Sequence, residues 1–350
     1  MLQAHPLSGH PLTPMKFVRR LSSVLPVLAV LVLGRGFAAE LPSYQPAVKL
    51  AGDMRITCET SAEPLMKIWV ERFAKFQPGL EIIAKGTSPL ASVPMVASGA
   101  YELGFPAREI WAYEAEDFRR IRGYQPTVIM VGLGAHRTAG LTPTLGVYVN
   151  ADNPIERITL EQLDAIYSDE RRRGGTKAVT TWGDLGLTGE WAARPVAAYT
   201  HRLPNGIDYF IQLVVAKGAA FRKSVTELPM RQGKLGPDEV IANAVAKNPA
   251  AIGFGCLGTV VPGMKAIALA ETAQGPYYRG TLEEVQSMAY PLSRPIYMVI
   301  DRAPGQPVDP KQAEFLAFVL SREGQEAIAA SDGWLPLPAG VAAAERAKLQ

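Results

Sequence analysis

From about residue 54 to residue 330, short apolar runs of strand length alternate with segments of helical length, and this alternation is what most limits the fold of the chain. Met54-Arg-Ile-Thr-Cys58 alternates apolar and polar as a half-buried strand does. Glu63 to Phe76 then sets Leu65, Ile68, Trp69, Phe73 and Phe76 at helical spacing, and Pro78-Gly79 ends the segment. Further strands are predicted at Leu80–Ala84, Glu102–Phe105, Val128–Val131, Gly146–Val149, Arg194–Tyr199, Ala251–Phe254, Ala266–Leu269 and Ile296–Ile300. Helices are predicted at Ser92–Ser98, Asp208–Lys217, Asp238–Lys247, Ala313–Leu320 and Gly324–Ala330, and Thr159 with Gln162 forms a capping-box pattern opening another through Ile166. Strands alternating with helices predict an α/β fold with largely parallel sheets. No internal repeat is present, and the Ala-rich tail after Pro338 reads as a surface helix or a frayed end.

The charge is unevenly distributed. The 350 residues carry 36 Lys+Arg and 33 Asp+Glu, a formal +3 that lacks the basic clustering of a nucleic-acid binder. Residues 1–39 hold Lys16, Arg19, Arg20 and Arg35 and no acidic residue, so the remainder stands at 32 against 33, or −1. Within that stretch a basic segment precedes the apolar run Val24–Leu33, and Gly36-Phe-Ala-Ala39 follows. This order predicts a cleaved secretory signal peptide over residues 1–39, with Met15 an alternative start. An uncleaved anchor is the competing reading, but the run is short and interrupted by Pro26. No Cys lies near the cleavage site for lipid attachment, and the residues around Arg19-Arg20 fit a twin-arginine signal poorly.

Export makes pairing of Cys58 with Cys256 chemically feasible, and their separation in sequence leaves open whether they pair or stay as buried thiols. Two Cys exclude a disulfide scaffold and a four-Cys zinc site. There is no phosphate-cradling GxxxxGK loop, no HExxH and no GxSxG, and beyond residue 39 the only His are His136 and His201, for which hydrogen-bonded structural roles are expected. Gly253-Phe-Gly255-Cys-Leu-Gly258 matches a dinucleotide fingerprint, but Pro262-Gly263 leaves no room for the helix such a loop must open. The single dense basic run, Arg171-Arg-Arg173, reads as a solvated loop packed down by Trp182, and Arg294 as structural.

Polar loops ahead of helices carry more information. Thr60-Ser61 stands between the first strand and a helix with Pro64 near its start, where unpaired N–H groups and hydroxyls suit an anion without any charged residue. An ordinary Ser cap would look the same. Gly86-Thr87-Ser88 and Arg202-Leu-Pro-Asn205-Gly206 hold equivalent positions in later units.

The order of these pieces resembles the phosphate-binding family of periplasmic solute-binding proteins, the receptors of ABC importers, over roughly residues 50–338. The carrying segments include Thr60-Ser-Ala-Glu-Pro64, Gly99-Ala-Tyr-Glu-Leu-Gly104-Phe-Pro-Ala-Arg108, Val147-Tyr-Val-Asn150, Thr181-Trp182-Gly-Asp-Leu-Gly186, Tyr290-Pro-Leu-Ser-Arg294-Pro and Gly333-Trp-Leu-Pro336. The resemblance implies a two-lobed type II periplasmic-binding fold, each lobe a mainly parallel sheet flanked by helices. Residues 45–130 and 290–350 would form lobe I and residues 131–289 lobe II, hinged by two crossover strands and closing over a ligand. It implies no cofactor, metal or catalysis, a monomer, and an ABC permease complex at the inner membrane as partner. Carried over, the family's first loop falls on Thr60 and Ser61, and its Gly-Ser loop on Gly86, Thr87 and Ser88. The chain departs from the pattern after Gly104, where Ala107-Arg108 stands for Ser-Asp or Ser-Arg. It departs again where Asn205-Gly206-Ile207 replaces Ser-Gly-Thr, with Arg202, or His201 by strict spacing, ahead of it. Each hydroxyl lost from a buried oxyanion site removes roughly 1–3 kcal/mol, and Arg108 where an acidic acceptor is expected would favour a fully ionised or larger anion. The expected site is therefore Thr60, Ser61, Thr87, Ser88, Arg108, Arg202, Asn205 and Gly206. Capture of phosphate or a related oxyanion for import is the first functional reading, and a same-fold sensor or receptor for an organic ligand the second. An exported hydrolase is a distant third, for want of a metal or nucleophile cluster.

Overall fold

The computed structural model describes residues 41–350; residues 1–40, and with them the signal-peptide expectation, lie outside the described residues. In chain order the elements are β1 (Gly52–Glu59), α1 (Glu63–Phe73), β2 (Leu80–Thr87), α2 (Ser92–Ala97), β3 (Leu103–Phe105), α3 (Ala112–Arg122), β4 (Thr127–Leu133), β5 (Leu145–Asn150), β6 (Arg157–Thr159) and α4 (Leu160–Tyr167). There follow β7 (Ala197–His201), α5 (Gly206–Val214), β8 (Thr226–Leu228), α6 (Pro237–Lys247), β9 (Ala251–Cys256), β10 (Met264–Ala266), β11 (Ala268–Ala270), α7 (Leu282–Gln286), β12 (Pro295–Ile300), α8 (Pro310–Val319), α9 (Arg322–Ala329) and α10 (Ala339–Ala347).

Two five-stranded sheets organise two lobes. The first has the order β2-β1-β3-β12-β4, the second β10-β5-β9-β7-β8, and β6 pairs with β11 apart from both. Each large sheet is mixed rather than mainly parallel. In the first, β1 pairs in parallel with β2 and β3, whereas β12 runs antiparallel to β3 and β4. In the second, β7 is parallel to β8 and β9, whereas β5 is antiparallel to β9 and β10. The antiparallel members flank the two connections between lobes, where the chain leaves one sheet and returns to it. These connections lie side by side: the Gly134 amide bonds the Arg294 carbonyl at 2.8 Å and the Leu145 amide the Leu292 carbonyl at 3.3 Å. Residues 135–144 fold back so tightly that a Cβ on Gly134 would sit 1.8 Å from the Thr142 carbonyl oxygen.

Aromatic packing fixes α1 in the first lobe. Trp69 lies 5.4 Å from Phe105 and Phe73 lies 5.3 Å from Phe315, centroid to centroid, and the Trp69 indole donates to the Gly324 carbonyl at 2.9 Å. In the second lobe Tyr167 stacks on Phe254 at 4.9 Å, and buried Trp182 donates to the Ala250 carbonyl at 3.1 Å, pinning its loop. The dinucleotide-like glycines serve packing: a Cβ on Gly253 would meet Ile241 of α6 at 2.6 Å. The Ala-rich tail is an ordered helix, α10, whose buried Glu345 accepts the Met130 amide of β4 at 2.9 Å. The basic run is only partly solvated, since the Arg173 guanidinium caps the Val214 and Val215 carbonyls at the end of α5. Cys58 and Cys256 are buried free thiols at the ends of β1 and β9, in different sheets.

Candidate functional site

A cleft of about 230 Å³ opens between the lobes. The first lobe contributes Glu59 at the end of β1 and Ser61 after it, Pro89 after β2, and Pro106 and Arg108 after β3. The second contributes Gly206 and Ile207 at the start of α5 and Met230, Pro237 and Asp238 around the start of α6. The connections supply Gly140, Thr142, Pro143 and Arg294. The site thus forms where parallel strands end and helices begin, the usual place for ligands in α/β sheets.

Of the residues expected from sequence, the structure brings Ser61, Arg108 and Gly206 together on the cleft wall. Ser61 lies in the single turn Thr60–Ala62 that leads into α1, and its hydroxyl donates to the Glu59 carboxylate. Thr60 is exposed and donates to the Thr87 carbonyl at 3.1 Å. Gly86 and Thr87 belong to β2, which runs three residues beyond the predicted strand end at Ala84, so they are not loop residues. The Thr87 hydroxyl shares a 2.7 Å bond with that of Thr57, and a Cβ on Gly86 would fall 2.3 Å from the Glu63 carboxylate, which fills the space beside it. Ser88 accepts the Leu90 amide at 3.3 Å and positions Pro89, the residue of that loop that reaches the cleft. Asn205 caps α5, its side-chain oxygen taking the Asp208 amide at 2.9 Å. The Gly206 and Ile207 amides precede the first helical bond, from Tyr209, and so stand at the positive end of α5. Arg202 points elsewhere: its side chain is 82% exposed, pairs with Glu227 at 3.4 Å, and borders a second hollow with Leu203, Leu228 and Pro229. Met230 borders both hollows.

The two cleft arginines are tightly held. Arg108 makes a two-pronged pair with Glu114, both contacts 2.8 Å, donates to the Glu109 carbonyl at 2.6 Å, and lies 4.3 Å over the Trp111 ring. Arg294, 4% exposed, reaches the Glu109 carboxylate at 3.0 and 3.1 Å and the Gly206 carbonyl at 3.1 Å, so one side chain ties the lobes together. Its Nε is buried and has no hydrogen-bond partner. Across the cleft, Trp111 stacks on Tyr209 at 5.0 Å, whose hydroxyl accepts the Ala112 amide. The Thr142 hydroxyl donates to the Ala107 carbonyl at 2.7 Å, and both residues have left-handed backbones, φ 49° and 51°. Such strain in residues other than glycine is uncommon and concentrates at functional sites.

Three cleft residues with charged side chains were not part of the expected site. Glu59 accepts the hydrogen bond of the Ser61 hydroxyl; Asp238 accepts the Cys256 amide at 2.6 Å, and burial pushes its carboxyl above the usual range. Arg294, read from sequence as structural, does hold the hinge but also faces the cleft. The Gly236-Pro237-Asp238 helix start was the available signal for Asp238, since it repeats the loop-before-helix logic of Thr60-Ser61. Of the two histidines, His201 bridges Asp208 at 3.0 Å and the Pro237 carbonyl at 3.1 Å, joining the starts of α5 and α6, and His136 contacts the Gly280 carbonyl at 2.7 Å. No cluster of metal-ligating side chains occurs among the described residues.

Two lobes, two crossing connections and a cleft at the strand ends define the class. A family model described as a PBP superfamily domain matches residues 45–323, and the chain belongs to this superfamily. It is 33% identical over 303 residues, 86% of this chain and 88% of the relative, to the phosphate-binding protein PstS of Pseudomonas aeruginosa. An ABC-type phosphate transport receptor from Vibrio cholerae superposes with a TM-score of 0.50 at 21% identity, covering 81% of this chain and 99% of that one. PstS from Borrelia burgdorferi gives 0.52 at 17% identity, covering 81% and 98%, and both structures share the fold.

Proposed function

We propose that this protein is an exported solute-binding protein of the periplasm that captures phosphate or a related oxyanion between two closing lobes and hands it to an ABC permease at the inner membrane. The lobes are residues 45–130 with 290–350, and residues 131–289; one chain supplies both walls of the cleft, so the monomer is the binding unit. The observation that carries the reading is Arg294, a buried guanidinium that lines the cleft together with Gly206 and Ile207 at the start of α5. An oxyanion accepting charge-assisted bonds from the Arg294 guanidinium, and bonds from Ser61 and the Gly206 and Ile207 amides, matches this lining. Asn205 orients the helix start, Thr60, Thr87 and Ser88 brace the loops that present Ser61 and Pro89, and Arg202 has no part in the contact. Function is binding and lobe closure, without covalent chemistry.

A thermal-shift panel on ligand-stripped protein with phosphate, sulfate, phosphonates and small carboxylates tests the reading. An anion at a hundred times its Kd stabilises by about 2.7 kcal/mol, a rise of several degrees. No shift with any oxyanion would refute it.

A further inference from the structure

We infer that the cleft is built for a zwitterion: a phosphonate or phosphate ester whose phosphoryl group meets Ser61 and Arg294 and whose substituent carries an ammonium group between Glu59 and Asp238. The inference rests on the oxyanion reading above and narrows it. Arg108 is neutralised by Glu114 and Arg294 by Glu109, each at direct contact, so these two pairs contribute no net charge. Glu59 and Asp238 remain, one from each lobe, both lining the cleft. A bare dianion would bring further negative charge against two carboxylates with no free guanidinium to balance it. The Ser61 hydroxyl is also committed to Glu59, so it turns to a ligand oxygen only if Glu59 receives another donor. An ammonium group supplies that donor, and Asp238, whose one oxygen is taken by the Cys256 amide, holds its other acceptor for the same group. The cleft, of about 230 Å³, is many times the space that one water needs, which leaves room for a substituent beside a phosphoryl group. Pro106, Pro143, Ile207 and Met230 line the remainder, an apolar surface suited to a short methylene linker.

Titration calorimetry of the stripped protein with inorganic phosphate, methylphosphonate and 2-aminoethylphosphonate tests this. The amino compound should bind at least tenfold more tightly than methylphosphonate. Glu59→Gln and Asp238→Asn should each shrink that ratio at least threefold, with unliganded melting curves confirming that both variants fold. Equal binding of the two phosphonates by the parent, or a ratio unchanged in both variants, overturns the inference. Binding of inorganic phosphate alone overturns it while the oxyanion reading stands. Binding of none of the three removes both.

Discussion

Glu109→Gln is the most searching perturbation of the hinge. Glu109 and Arg294 have side-chain exposures of 8% and 4% and meet at 3.0 Å. Removing one partner of a buried pair leaves an uncompensated charge and costs about 3–5 kcal/mol. For a chain of this size, at about 2–3 °C per kcal/mol, the unliganded melting temperature should fall by about 6–15 °C. Replacing both partners, Glu109→Leu with Arg294→Met, removes the charge along with its partner and should restore most of the loss. The ligand responds oppositely. Glu109→Gln frees a guanidinium at the cleft and should tighten oxyanion binding, while the double variant should abolish it. Scanning calorimetry with and without phosphoryl ligand reads both effects. A Glu109→Gln protein melting within 2 °C of the parent, or a double variant no more stable than the single one, would refute the claim that this pair bears the load between the lobes.

Other consequences are local. Thr159→Ala breaks a reciprocal capping box, whose bonds to Gln162 measure 3.0 and 3.1 Å, and should cost about 1 kcal/mol in urea unfolding with ligand affinity unchanged. Burial pushes the Cys58 thiol up to about 12 and Cys256 up to about 11, so at pH 8 a thiol reagent should label neither in the native protein and both after unfolding without reductant. Burial holds the His136 imidazole below its ordinary value of 6.5, so folding favours the neutral form. That contribution is whole above about pH 6.5 and lost as pH falls toward the lower native value, and His136→Gln should flatten this part of the melting-temperature profile between pH 7 and 5.

Much of the fold was legible because its signals are local. The period-two strand at Met54–Cys58, the Thr159–Gln162 cap and the Pro and Gly stops depend on neighbours in sequence, and the elements appear where these point. Helix α3 was not legible: in Ala112–Arg122 Phe118 is the main buried apolar side chain, and the helix is held by Glu114 capping the Trp111 amide at 2.7 Å and by Gly123 at φ 87°. The single strand expected over Ala266–Leu269 splits at Ile267, because β10 continues the second sheet while β11 turns away to pair with β6. Of the residues that line the cleft, Ser61 and Gly206 were readable from the composition of their loops and Arg108 from the family resemblance. Arg294 and Asp238 reach the cleft through long-range packing, by a crossing connection and by the docking of α6 on β9, and neither contact leaves a trace in sequence spacing. Arg202 shows the converse: it lies just past the end of β7, and its exposed side chain pairs with Glu227 instead of entering the cleft.

The central claim is that an oxyanion is held between the lobes at Arg294. Calorimetric titration of ligand-stripped parent and Arg294→Met proteins with phosphoryl anions tests it most directly. The account predicts one site per chain in the parent and at least tenfold weaker binding in the variant. Equal affinity in the two proteins, or no binding of any phosphoryl anion by the parent, would contradict it.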